Sequence, residues 1–169
     1  RALHLKRLPE LFDAAGYGFE PDKRYGPASS LSEDMRLCVF AAERGGAVNA
    51  NRPEYRAART MAEIAALAAR ADDLVVDAEI ESITSDLVAF PEISDLDRLR
   101  LRAHALALLA NPAKLKTATK RLCELPELQR QAALASAVRA VLADQRITPS
   151  EVRFLEGLYK ALGLPQDEV

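Results

Sequence analysis

Two short stretches of this 169-residue chain spell the same pattern, and an internal repeat fixes architecture before any residue is given a role. Asp72-Asp73-Leu74-Val75-Val76-Asp77-Ala78-Glu79-Ile80 aligns with Asp144-Gln145-Arg146-Ile147-Thr148-Pro149-Ser150-Glu151-Val152. Each reads as an aspartate, a β-branched residue three positions later, a glutamate seven positions later, and another β-branched residue at once. An alanine-rich run with helical character precedes each copy, and an amphipathic run follows. The pattern predicts an all-α domain, a helical bundle with an internal two-fold repeat of helix–loop–helix units whose elbows are acidic. The scarcity of aromatic and β-branched residues agrees with helices rather than sheets.

Punctuation along the chain sets the expected elements. A short amphipathic helix over residues 3–15 ends at Gly16, and residues 16–22 read as a connector. Ser32, with Glu33 and Asp34 behind it, predicts a helix to about Arg44, stopped by Gly45-Gly46. Asn49 to Pro53 reads as a boundary. Residues 1–52 are therefore taken as a helical segment ending a preceding module, and 53–169 as the main domain. Within it, helices are expected over about 53–70, 77–90, 95–110, 113–122, 126–143 and 149–162. Leu128, Ala132, Ala135, Val138 and Leu142 are expected along one face of the helix over 126–143, and Val152, Leu155, Tyr159 and Leu162 as the buried stripe of that over 149–162. Gly163 is the expected left-handed stop, with Pro165 behind it. The start at Arg1, without methionine, reads as a piece cut from a longer protein.

Charge is segregated although the net charge is only −2. Nine acidic residues and no Lys or Arg lie between Ala71 and Asp97; seven basic residues and no acid lie between Arg98 and Arg121. The basic run (Arg98 and Arg102, then Lys116, Lys120 and Arg121) is read as a solvated or paired face, or as a surface for anionic lipid or an acidic partner. Nucleic acid is disfavoured, because no aromatics interleave with these cations. No apolar run approaches the roughly 20 residues that span a bilayer, so a cytoplasmic location is expected. Cys38 and Cys123 lack metal-ligand spacing and read as reduced thiols, with Cys123 expected to be buried.

Chemistry concentrates at the elbows. In the second, Thr148-Pro149-Ser150-Glu151 forms a capping box, which explains these residues by helix-start physics alone. In the first, Val76 stands where Thr148 does, so no hydroxyl completes the box, yet Asp72, Asp73, Asp77 and Glu79 crowd together. Hard divalent ions such as Ca²⁺ or Mg²⁺ favour such oxygen donors. The spacing does not fit a twelve-residue EF-hand loop, so any cation is expected to be shared between two converging elbows, with Asp72, Asp73, Glu79, Asp144 and Glu151 as ligands. Enzyme motifs are lacking: His4 and His104 sit in no nucleophile or metal pattern, and there is no phosphate loop or nucleophile elbow. His104, flanked by alanines, reads as a packed histidine.

The repeat and its flanks resemble the TerB-like family, named for the tellurite-resistance protein TerB. Its members carry an aspartate-led elbow, Asp-Gly-x-Ile/Val-x-x-x-Glu, twice in an all-helical domain. Here the second copy runs on into Leu158-Tyr159-Lys160-Ala161-Leu162-Gly163-Leu164, matching the family's terminal Leu-Gly-Leu. The likeness covers about Pro53 to Leu164. It departs from the pattern after each aspartate, where Asp73 and Gln145 replace glycine. The resemblance implies a non-catalytic interaction module in bacterial responses to tellurite, chemical stress or phage, acting with other proteins of a stress-response complex near the inner membrane. It also implies binding of Ca²⁺ or another divalent cation. The alternatives are a purely structural spacer between flanking domains and, further off, a metal-dependent hydrolase.

Overall fold

In the computed structural model, the structure describes residues 2–26, 31–72, 74–90, 92–112 and 114–164, without the side chains of residues 2–5. Seven helices account for most of it: α1 (Ala2–Ala14), α2 (Pro53–Ala69), α3 (Asp77–Ala89), α4 (Asp95–Ala110), α5 (Leu115–Cys123), α6 (Glu127–Leu142) and α7 (Pro149–Ala161). The all-α class and the repeat of two helix–elbow–helix units, α2–α3 and α6–α7, are as the sequence predicts. Pro53 opens α2 and Pro149 opens α7, where a missing N–H costs nothing. Gly163 ends the last helix at φ 69°.

The core is built around α2, which packs against α3, α4, α5, α6 and α7. Its neighbour α6 meets it through small residues. Ala58, Ala62, Ala65, Ala66 and Ala69 on one helix and Ala133, Ala137 and Ala140 on the other are all buried. Alanine removes side-chain bulk and lets the two backbones approach, so dispersion contacts replace large apolar side chains. This close approach selects a different α6 face from the expected one. Leu128 is 78% exposed, and Ala132 and Ala135 also face solvent, while Ala133, Leu134, Ala137, Ala140 and Val141 are buried. On α7, Leu155 and Leu158 are the buried apolar residues, with Val152, Tyr159 and Leu162 half-buried.

The segment before α2 departs furthest from expectation. No α-helix forms over residues 32–44. Instead β2 (Cys38–Ala41) pairs antiparallel with β1 (Tyr17–Glu20), Tyr17 facing Ala41 and Glu20 facing Cys38. The capping signal at Ser32 has no apolar helical stripe behind it, whereas Val39 and Phe40 favour an extended chain. Phe19 is buried against Phe12 of α1, ring centroids 5.2 Å apart. After β2 the chain turns through Arg44, Gly45 and Gly46, all at positive φ. Cys123 is exposed, not buried: it ends α5 on the face turned from the core, while Ala118 and Leu122 fill the interior.

Candidate functional site: paired acidic elbows and a buried ion network

The two elbows repeat one another atom for atom. Asp72 Oδ1 accepts the Leu74 N–H at 2.9 Å, and Asp144 Oδ1 accepts the Arg146 N–H at 2.9 Å. Seven residues on, the Glu79 carboxylate accepts the Val76 N–H at 2.8 Å and the Glu151 carboxylate accepts the Thr148 N–H at 2.7 Å. Each pair closes an elbow at both ends and satisfies amides that the incoming helix leaves free. Gln145 takes φ 62°, the left-handed conformation that a glycine at this place would adopt without a Cβ penalty.

The boxes differ where the sequences differ. The Glu151 N–H donates to Thr148 Oγ1 at 3.3 Å, whereas the Glu79 N–H has only the Val76 carbonyl, at 3.2 Å. Val76→Thr supplies the missing acceptor and is expected to stabilise the protein by about 0.5–1 kcal/mol, with Thr148→Val costing about 1 kcal/mol. Paired thermal melts check this; equal effects of one sign from both replacements would show that the hydroxyl is not the cause.

The elbows are neighbours in space. Glu79 and Glu151 are each 2% exposed. Burial, together with the charges of Asp72, Asp144 and Glu151, pushes the Glu79 carboxyl up to about 7, against the relief of its bond to Val76. Three of the expected residues, Asp72, Asp144 and Glu151, thus act on a fourth, Glu79, across the two units; the fifth, Asp73, lies outside the described residues. Oxygen donors that repel one another are the chemistry a hard divalent cation relieves. As placed, however, each carboxylate serves its own backbone, and among the described residues no three His, Cys, Asp or Glu side chains are arranged to hold a metal ion.

Compared with known families, residues 58–169 match the family described as Tellurite resistance protein TerB. The chain belongs to the TerB family. It carries, over that span, a domain of the tellurite-resistance type. Searches of curated proteins and of solved structures returned no match.

This TerB domain holds a second polar centre that the motif reading missed. Glu20 and Arg100, both 0% exposed in their side chains, pair at 2.7 Å. Arg100 Nε donates to the Gly46 carbonyl at 2.9 Å, its Nη2 to the Gly45 carbonyl and its Nη1 to Phe19 O at 3.3 Å. Its guanidinium also lies 3.8 Å from the Tyr25 ring centroid, a favourable cation–π distance. His104 sits between two carboxylates, Nδ1 at 3.3 Å from Glu20 and Nε2 at 3.3 Å from Glu63. Glu63 also holds Arg121 at 2.5 Å and Arg59 at 3.5 Å. Burial alone would raise both carboxyls; hydrogen bonding to His104 and the surrounding positive charge hold Glu20 and Glu63 below the ordinary range.

The network clamps the β1–β2 hairpin onto the TerB helices, because Arg100 and His104 come from α4, Arg59 and Glu63 from α2, and Glu20 from β1. A sequence signal existed: Arg59 with Glu63, and Arg100 with His104, are i,i+4 pairs set inside runs of alanine and leucine. Charged residues on an apolar stripe must find partners. The acidic sector is partly neutralised on folding by arginines from outside the basic sector, since Arg52 pairs with Asp97 and Arg139 with Asp86. No described helix is long and apolar enough to cross a membrane.

Proposed function

We propose that this TerB-family chain is a non-catalytic module of a bacterial stress-response assembly and that its paired elbows respond to a divalent cation. The supporting observation is the gathering of Asp72, Asp144 and Glu151 around a buried Glu79, whose carboxyl is raised to about 7 by burial first and by their charges with it. A cation such as Ca²⁺ supplies the opposite charge and favours ionised Glu79, so uptake releases a proton and strengthens as pH rises through 7. The carboxylates that would hold the ion are those that now fasten the elbows, and this links ion uptake to the helix starts of α3 and α7. Partner proteins and anionic lipid are the proposed readers of that change.

Thermal melts with EDTA, Ca²⁺, Mg²⁺ or Mn²⁺ test the reading. A ligand at a hundredfold excess over its Kd stabilises by about 2.7 kcal/mol, worth several degrees in a chain of this size. The rise is expected in the wild type at pH 8, to shrink at pH 6, and to vanish in a Glu79→Gln/Glu151→Gln double variant, since glutamine can still accept the Val76 and Thr148 amides. A rise that survives the double replacement places the ion elsewhere. No rise with any of the metals supports the second reading, a structural spacer whose acids only cap helices; the bonds from all four carboxylates to backbone amides favour it.

A further inference from the structure

A cavity of about 330 Å³ opens between the turn Lys23–Tyr25, the first half of α2 and the end of α5. Its wall contains Lys23, Arg24, Arg56, Arg59 and Arg121 and, among the described residues, no acidic one. Three of these cations are held from behind: Arg24 by Asp13 and Asp22, Arg59 and Arg121 by Glu63. Lys23 and Arg56 are exposed and make no ion pair among the described residues. Five positive groups against three carboxylates leave an excess of two positive charges around one concavity.

Arg59 is 4% exposed, and its Nε lies 3.5 Å from Glu63 Oε1. The guanidinium is fixed: Nη1 donates to the Tyr25 carbonyl, and a Cβ at Gly26 would collide with it. Arginine forks held in place suit a tetrahedral oxyanion, each giving parallel N–H donors. The volume exceeds what one phosphate fills and falls at the small end of ligand pockets. Ala50 and Leu125, also on the wall, offer apolar contact to the remainder of a ligand.

We infer that this cavity binds a phosphate monoester, its dianion matched to the two surplus positive charges and its phosphoryl oxygens set among Lys23, Arg56, Arg59 and Arg121. The site shares no residue with the elbows and stands independently of their reading. Two sources carry this chemistry, a soluble metabolite and a phosphatidic-acid headgroup, and the test separates them.

Calorimetric titration of the full chain with glycerol 3-phosphate, at constant ionic strength set with chloride, is expected to show saturable binding. Lys23→Ala and Arg56→Ala, both at exposed positions, should each weaken it about tenfold, the loss of one charge-assisted contact, with unchanged circular dichroism. Glu79→Gln should leave it unaltered. In a parallel arm, vesicles of phosphatidylcholine with and without phosphatidic acid are sedimented with the protein. Lipid-dependent capture lost in the same two variants supports the site and assigns it to a headgroup; soluble binding alone assigns it to a metabolite. Failure of both ligands, or binding that is undiminished in both variants, would overturn the inference.

Discussion

Arg100→Met is expected to lower stability by about 3–5 kcal/mol, the cost of leaving a buried carboxylate without its partner. Nothing else in the interior offers Glu20 so short an ion pair, and Arg100 also supplies the donors for the Gly45, Gly46 and Phe19 carbonyls. In a domain of this size that loss lowers Tm by roughly 10 °C or more. Arg100→Lys should recover little, because one ammonium cannot reach in three directions with the geometry of a planar fork. Adding Glu20→Gln to Arg100→Met should return part of the loss by removing the orphaned charge, but not the part due to the unpaired carbonyls. Urea titrations of the two single variants and the double give the coupling directly. A loss below about 1 kcal/mol for Arg100→Met would put the pair outside the group of interactions that matter.

The second large effect runs with pH. Glu79 titrates at about 7 in the folded chain against an ordinary 4.5. The folded state therefore holds that proton more tightly than the unfolded state. The resulting stability is complete below about pH 4.5 and is lost as pH rises through 7. The ceiling on this loss is roughly 3 kcal/mol; the half-buried surroundings, with Asp72 and Asp144 reaching solvent, reduce it to about 1–2 kcal/mol. Glu20 and Glu63 have the opposite sense, since their carboxyls are held low and their contribution disappears only in acid. Between pH 4.5 and 7 they are ionised and constant, so the Glu79 term is isolated by comparison with Glu79→Gln. That variant should match the wild type at pH 4.5 and exceed it at pH 8. Equal pH profiles for the two proteins would refute the raised Glu79 carboxyl.

Why the helices were legible and the front of the chain was not has a physical reason. Most helices of the TerB region carry a local stop or start: Pro53 at α2, Ser94 at α4, Pro126 before α6, Pro149 and Gly163 at α7. Such signals act through backbone geometry and need no tertiary partner. The elbows were legible for the same reason, being closed by bonds that span two or three residues. The hairpin is another matter. β1 and β2 are four residues each, and what holds them is Arg100, more than fifty positions away from Gly45 in the chain. Similarly, the buried face of α6 was misjudged because Ala132 and Ala133 have the same local propensity; only the approach of α2 distinguishes them. The ion network shows a third case. Arg59, Glu63, Arg100 and His104 break the apolar pattern of their own helices, and a reading that searches for named motifs passes over such breaks.

The central claim is that two elbows from separate repeats place their carboxylates in one field. Carbon-detected NMR titration of the Glu79 carboxyl tests it most directly, in the wild type, in Asp144→Asn, and in the wild type with saturating Ca²⁺. The expected midpoint is near 7, moved down by removal of the Asp144 charge from the other repeat and moved down again by the cation. A midpoint near 4.5 that neither Asp144→Asn nor Ca²⁺ changes would contradict it.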